Sequence, residues 1–184
     1  MKEGLSITCN PELHEACNRA VRPFGCVLAI GGLLLAGSVR ADVSASDPAT
    51  VLSEMRDAGF PATMHVDSNG DPLIKSKVSR SNFGVYFYGC NDDGKHCSSI
   101  QFGAGYRMSE GLNNSVASDW NRTKRLGKAY VDDDGNPHLK MDINLVGGIS
   151  ADNFEANLEW WRVAIDRFEN HIGNYVDRRS FDSN

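Results

Sequence analysis

The chain has 184 residues, of which 41% are hydrophobic and 23% are charged, a mixture that excludes an intrinsically disordered protein. The net charge is −5 at pH 7, and an acidic chain is disfavoured as a binder of duplex nucleic acid. We therefore expect one soluble globular domain with a single hydrophobic core.

An apolar stretch near the N-terminus, FGCVLAIGGLLLAG, follows two arginines and is closed by SVRA. Val39 and Ala41 are small residues at the positions that signal peptidase requires, so we predict a secretory signal over residues 1–41. The stretch is shorter than the ~20 apolar residues that span a bilayer, and an uncleaved anchor is the alternative. Because residues 1–20 carry three glutamates and two cysteines, translation from Val21 is a further hypothesis.

Cleavage would leave residues 42–184 as a single domain with 15 Lys and Arg against 21 Asp and Glu, a net charge of −6. We expect this domain in the periplasm or secreted from the cell, without stable membrane insertion. Only Cys90 and Cys97 of the five cysteines lie in it, and an even pair in an oxidising compartment favours a disulfide. A metal site that includes His96 and a redox-active cysteine pair are the alternatives.

The first predicted helix lies in DPATVLSEMRDAGF, with Asp47 or Ser46 as its cap, Pro48 in its first turn and Gly59 at its end. The segments ATMHV and PLIKSKV then predict two strands around DSNGD. In that loop the pair Asn69 and Gly70 favours the left-handed backbone of a tight hairpin turn.

The cysteine pair predicts the register of the next hairpin. Antiparallel strands with Cys90 opposite Cys97 also place Tyr88 opposite Ser99, Phe87 opposite Ile100, Val85 opposite Phe102 and Phe83 opposite Ala104. The large apolar residues then share one face of the sheet, as a hydrophobic core requires.

The opposite face of this hairpin would carry Tyr86, Tyr88 and Gln101 together with Gly103 and Gly105. Aromatic residues beside glycines leave a flat, partly apolar surface that suits a partner chain or a second copy of the protein. The alternative is that a helix covers this face.

Further along, NSVASDWNRTKRLG predicts a short helix with Asn114 as its cap and with Val116 and Trp120 on one side. KAYV and HLKMDINL predict a second hairpin through DDDGN. The leucine, methionine and isoleucine of HLKMDINL alternate with polar residues, which is typical of a strand with one solvated face.

The last helix is predicted to begin after Ser150, with a hydrophobic staple between Ile149 and Phe154. Trp160 lies beside its apolar stripe and is predicted to be exposed or at an interface. We expect the stripe to be a buried helix face rather than a subunit seam; it comprises Phe154, Leu158, Trp161, Ile165, Phe168 and Ile172.

The element order α-ββββ-α-ββ-α predicts an α+β domain in which three helices pack over an antiparallel sheet of five to six strands. No HExxH, GxSxG or P-loop pattern is present, and the four histidines after residue 41 fall in different elements. Pro72 and Pro137 occupy the loop position at which an EF-hand needs glycine, so the acidic loops predict turns rather than calcium sites. We therefore predict no catalytic residue, no metal and no cofactor.

Several segments, DSNGDPLI, YFYGC, CSSIQF, WNRTKRLGKAYVDDDGNPHLKMDINLVGG and FEANLEWWR, together resemble the YbjN family of bacterial proteins over about residues 47–171. The resemblance implies a role as a sensory-transduction regulator, with no catalytic residue to carry over. It also implies a fold similar to that of type III secretion chaperones, small α+β proteins that often dimerise and bind partner chains.

We therefore expect a non-enzymatic, exported YbjN-like regulator that acts by protein binding or self-association. The candidate binding surface consists of Tyr86, Tyr88, Gln101 and Trp160. The alternative is a small envelope ligand-binding protein or hydrolase whose site is assembled from scattered residues.

Overall fold

The computed structural model of the chain describes residues 42–182, with side chains for residues 42–175. The predicted signal sequence and the hypothetical start at Val21 lie outside the described residues. The elements in chain order are α1 (Pro48–Asp57), β1 (Ala62–Val66), β2 (Pro72–Val78), β3 (Ser81–Tyr88), β4 (Ser99–Gly105), α2 (Ser115–Thr123), β5 (Lys128–Val131), β6 (Pro137–Asn144) and α3 (Ala151–Asp182).

The six strands form one antiparallel sheet in the order β1-β2-β3-β4-β6-β5. The first four strands pair with their neighbours in sequence. β6 then pairs with β4, which leaves β5 at one edge and β1 at the other. The predicted α+β class and element order are confirmed.

The predicted register of the central hairpin is also confirmed. Tyr88 lies opposite Ser99, Phe87 opposite Ile100 and Val85 opposite Phe102. Beyond the strand ends, Cys90 and Cys97 form a disulfide.

Three hairpin loops share one local design, over residues 67–71, 91–95 and 132–136. In each, the first residue donates its N–H to the carbonyl of the fifth, and its side-chain Oδ1 accepts the N–H of the fifth. The fourth residue is a glycine at positive φ, namely Gly70, Gly94 or Gly135. Of the predicted Asn69 and Gly70 pair, only Gly70 adopts the left-handed conformation in this five-residue loop.

Helix ends follow the predicted capping chemistry at two of three N-termini. Asp47 Oδ1 accepts the Ala49 N–H at 3.1 Å, and Ser150 Oγ accepts the Asn153 N–H at 3.3 Å. At α2 the predicted cap Asn114 makes no side-chain capping bond. The neighbouring Asn113 Oδ1 accepts the Ser115 N–H at 2.9 Å instead, a local side-chain to backbone bond that satisfies one N–H at the start of the helix.

The three helices pack on one face of the sheet and form the core there. The Phe102 and Trp161 rings stack at 5.6 Å, and Trp120 meets Phe168 edge-on at 5.0 Å. The stripe predicted for α3 is buried throughout, which confirms a core role for Phe154, Leu158, Trp161, Ile165, Phe168 and Ile172. Within residues 42–182, no helix combines the length and the apolar character needed to cross a bilayer.

Candidate functional site

The sheet face opposite the helices, called the outer face below, carries the predicted tyrosines. One row across the sheet pairs Leu73 with Tyr86, Tyr86 with Gln101 and Gln101 with Asp142. Because strand residues alternate between faces, the buried Val85 and its neighbours point to the helices while this row points away. The described helices therefore cover the other face, and the alternative of a helix over Tyr86 does not hold for residues 42–175.

A groove of about 330 Å³ runs over the centre of the outer face. Its floor is the backbone of β4, and its walls come from β3 on one side and from β5 and β6 on the other. The lining residues are Tyr86, Tyr88, Gln101, Gly103, Ala104, Gly105, Tyr130, His138 and Lys140.

Glycines make room for the rings along this groove. A Cβ on Gly84 would lie 2.8 Å from the Tyr86 ring, and a Cβ on Gly103 would lie 3.1 Å from it. A Cβ on Gly105 would lie 2.7 Å from the His138 ring. The Tyr86 ring thus lies over two strand glycines and the His138 ring over a third, an arrangement that side chains at these positions would disrupt.

One wall of the groove is a fixed aromatic pair. The Tyr130 and His138 rings stack at 4.7 Å with 6° between their planes, and Lys140 Nζ lies 5.2 Å from the Tyr130 ring centre. His138 Nε2 is 2.9 Å from Asp132 Oδ2. The hydrogen bond from His138, helped by the Asn136 backbone N–H, lowers the pKa of Asp132 to about 2. The His138 ring is therefore held in one orientation.

The end of the groove near Tyr88 and Gln101 is polar and more open. Gln101 Nε2 donates to Asp142 Oδ1 at 2.7 Å, and the Tyr88 hydroxyl lies 3.5 Å from Gln101 Oε1. Tyr88 is 45% exposed. This end of the groove can therefore offer both an aromatic ring and hydrogen-bonding groups to a bound chain.

The charge of the outer face is opposite in sign to that of the whole chain. Lys75 lies opposite Gly84, and Lys128 lies opposite Lys140, so lysines flank the glycine floor on both sides. With Lys77 the strands place four lysines on this face against the single carboxylate of Asp142, although the chain carries a net charge of −5. Two copies packed outer face to outer face would oppose like charges.

Trp160, the fourth residue of the predicted surface, is not brought to the groove. It lies on α3, in the helix layer, where it is 47% exposed and the Arg125 guanidinium sits 5.2 Å from its ring. The prediction of an exposed ring is confirmed, but the ring does not share a surface with Tyr86.

Sequence reasoning missed Tyr130, His138 and Lys140 as partners of the tyrosines. The alternation in HLKMDINL places His138 and Lys140 on a solvated face. Nothing local, however, signals that β6 pairs with β4, since α2 and β5 lie between them in the chain.

Residues 47–174 match the model of the YbjN family, whose description is "Putative bacterial sensory transduction regulator". The chain belongs to the YbjN family. The matched range contains all six strands, so the whole outer face lies inside the YbjN domain. No curated protein and no solved structure matches this YbjN chain, and the implied likeness to type III secretion chaperones stays a prediction.

Two histidine rings of the YbjN domain are held in place by hydrogen bonds. In the part of the chain that the structure describes, no group of three or more His, Cys, Asp or Glu side chains is placed to hold a metal ion. His138 is engaged by Asp132, and His171 Nε2 lies 2.9 Å from the Val116 carbonyl, so both rings are tied into the fold.

Proposed function

We propose that this YbjN protein is a non-enzymatic regulator of the bacterial envelope that binds a protein partner through the outer face of its sheet. The observation that carries the proposal is the groove between Tyr86 and the stacked Tyr130 and His138 rings, which lies over a glycine floor. The family description supports a regulatory role.

Aromatic side chains on a preformed, open surface are typical of protein interfaces, because rigid rings bury large area at little cost in conformational entropy. Lys75 and Lys140 on either side of the floor favour a partner segment that carries carboxylates. The loops at the strand ends contain many aspartates, so this attraction is confined to the centre of the sheet. That pattern suits a short acidic peptide segment better than a long polyanion.

The predicted signal sequence supports the periplasm or the outside of the cell as the location of the protein. The Cys90–Cys97 disulfide supports the same location, because such bonds persist in oxidising compartments. A partner is therefore sought among envelope proteins.

The test is site-specific photo-crosslinking in living cells, with a benzophenone amino acid placed at Tyr88 or at Trp160. The two side chains have matched exposure, 45% and 47%, but lie on opposite layers of the domain. We expect one defined adduct from position 88, which Tyr86→Ala and Lys140→Glu abolish, and no such adduct from position 160. An adduct at 160 alone would place the binding surface on the helix layer and overturn the proposal.

A second candidate function is the binding of a small envelope ligand, which the volume of the groove favours, since sites for small molecules begin at about 300 Å³. A thermal-shift screen of the purified protein separates the two functions. A small ligand raises the melting temperature in a saturable way, and Gly103→Val, which fills the floor, removes the shift.

A further inference from the structure

The two edge strands of the sheet, β5 and β1, differ in whether their outward-facing backbone groups have hydrogen-bond partners. At the β5 edge, Ala129 donates its N–H to Asn121 Oδ1 at 2.9 Å and accepts from Asn121 Nδ2 at 2.9 Å. The side-chain amide occupies the place of a neighbouring strand, so this edge is closed to another chain.

Within residues 42–182, nothing pairs with part of the β1 edge. Asp67 donates its N–H across the hairpin to the Asp71 carbonyl at 2.9 Å, so its backbone faces β2. Backbone direction alternates along a strand, and Val66 and Met64 therefore direct their N–H and C=O groups away from the sheet. Ala62 follows the same alternation, but the Arg56 guanidinium donates to its carbonyl at 2.9 and 3.0 Å and covers that position.

The open part of the β1 edge, at Met64 and Val66, is apolar and uncharged, as expected of an edge that pairs with a second copy of itself. Met64 and Val66 are 38% and 67% exposed, and no residue of β1 is charged, although 23% of the chain is. β1 itself contains no proline and no lysine and pairs with β2 without interruption, so Met64 and Val66 lack these common protections of an edge strand.

We infer that two copies of this chain join through β1, antiparallel and centred on His65. Met64 of each copy then lies opposite Val66 of the other, and the two residues exchange both backbone hydrogen bonds, four bonds in all. This register stops short of Ala62, so both Arg56 guanidinium groups keep their carbonyls. The two sheets become one sheet of twelve strands.

A second copy fits this edge better than a different chain for two reasons. The paired side chains match, since the exposed Met64 and Val66 meet on the helix side and extend the apolar core across the joint. An acidic segment would find no cation on β1, whereas the lysines that would attract it lie on the outer face, where they oppose self-association. The inference is independent of the function proposed for the outer face.

The first test is proline substitution followed by light scattering. Met64→Pro removes an N–H that the fold does not use and that the joint needs, and proline is tolerated where an edge N–H faces solvent. We expect a dimer for the parent protein, a dissociation constant raised roughly tenfold or more by Met64→Pro, and a melting temperature within a few degrees of the parent. A monomeric parent, or a dimer that Met64→Pro leaves intact, overturns the inference.

The second test fixes the register with single cysteines, in a chain whose Cys9, Cys17 and Cys26 are replaced by serine. Directly opposed residues of a non-hydrogen-bonded pair lie ~4.5 Å apart at Cα, which a disulfide can bridge. His65→Cys should therefore give a disulfide-linked dimer on a non-reducing gel. Thr63→Cys should give no disulfide-linked dimer on the same gel, because Thr63 of one copy lies opposite Asp67 of the other. A crosslink from position 63 and none from position 65 overturns the inference.

Discussion

The side-chain amide of Asn121 makes both edge hydrogen bonds of Ala129, accepting its N–H and donating to its carbonyl at 2.9 Å each. A residue of α2 thereby ends the sheet at β5. The amide therefore couples the helix to the strand through polar contacts, beside the hydrophobic packing that the two elements share.

Replacing Asn121 with leucine should lower the free energy of unfolding by about 1–3 kcal/mol, because two backbone groups lose their partners. Urea unfolding measures the change. Asn157→Leu is the matched control, since the hydrogen bonds of the half-buried Asn157 amide stay within α3. Equal stability of the parent and the Asn121 variant would contradict this account of the edge.

Removing the disulfide by changing Cys90 and Cys97 to serine should cost about 2.5 kcal/mol, the chain-entropy value for a closed loop of eight residues. Thermal unfolding with and without reductant checks this. Reductant should lower the melting temperature of the parent and leave that of the double variant unchanged. A parent protein that does not respond to reductant, with intact mass equal to that of the dithiol form, would refute the disulfide.

The Asp132 carboxylate gives a pH-dependent contribution to stability. Its pKa is lowered from 3.8 to about 2 in the folded state, chiefly by the hydrogen bond from His138. Because the folded pKa lies below the unfolded one, the stabilisation is present above pH ~4 and is lost as the pH falls toward 2. The difference in melting temperature between parent and Asp132→Asn should therefore narrow across that range. Asp133→Asn, at the exposed neighbouring position, is the control substitution.

Two buried serines on neighbouring strands should respond to alanine in opposite directions. Among the described residues, Ser76 Oγ has no hydrogen-bond partner, whereas Ser81 Oγ bonds to Tyr106 at 3.0 Å and to Glu169. Each residue is 7% exposed. Ser76→Ala should stabilise the fold by up to about 1 kcal/mol, and Ser81→Ala should destabilise it by about 1–3 kcal/mol. Chemical denaturation that shows the same sign for both would exclude this explanation.

Cleavage of the predicted signal sequence during export would give the protein a defined N-terminal residue. Protein recovered from the periplasm should begin at Asp42 if the signal is cleaved after Ala41, as N-terminal sequencing will show. A product that retains residues 24–37 would favour the uncleaved anchor instead.

Local signals predicted much of this fold. The register of β3 against β4 follows from the cysteine pair and the alternation of Phe83, Val85 and Phe87, and it placed Tyr86 and Tyr88 on the correct face. Two adjacent asparagines at the start of α2 could not be distinguished, because either side chain can reach a helix N-terminus from sequence alone. The stacked Tyr130 and His138 were missed for a different reason. Their approach to Tyr86 depends on a pairing between strands that are distant in the chain.

The burial of the α3 stripe also has a consequence for biogenesis. Strands β1 to β4 can pair one after another during synthesis, because each strand pairs with the one that precedes it in the chain. The α3 residues that cover most of their apolar face, from Phe154 to Ile172, are synthesised after all six strands. A nascent chain therefore carries a sheet whose apolar face is only partly covered, by α1 and α2, until α3 is made, and a truncation before Phe154 should aggregate rather than yield a smaller domain.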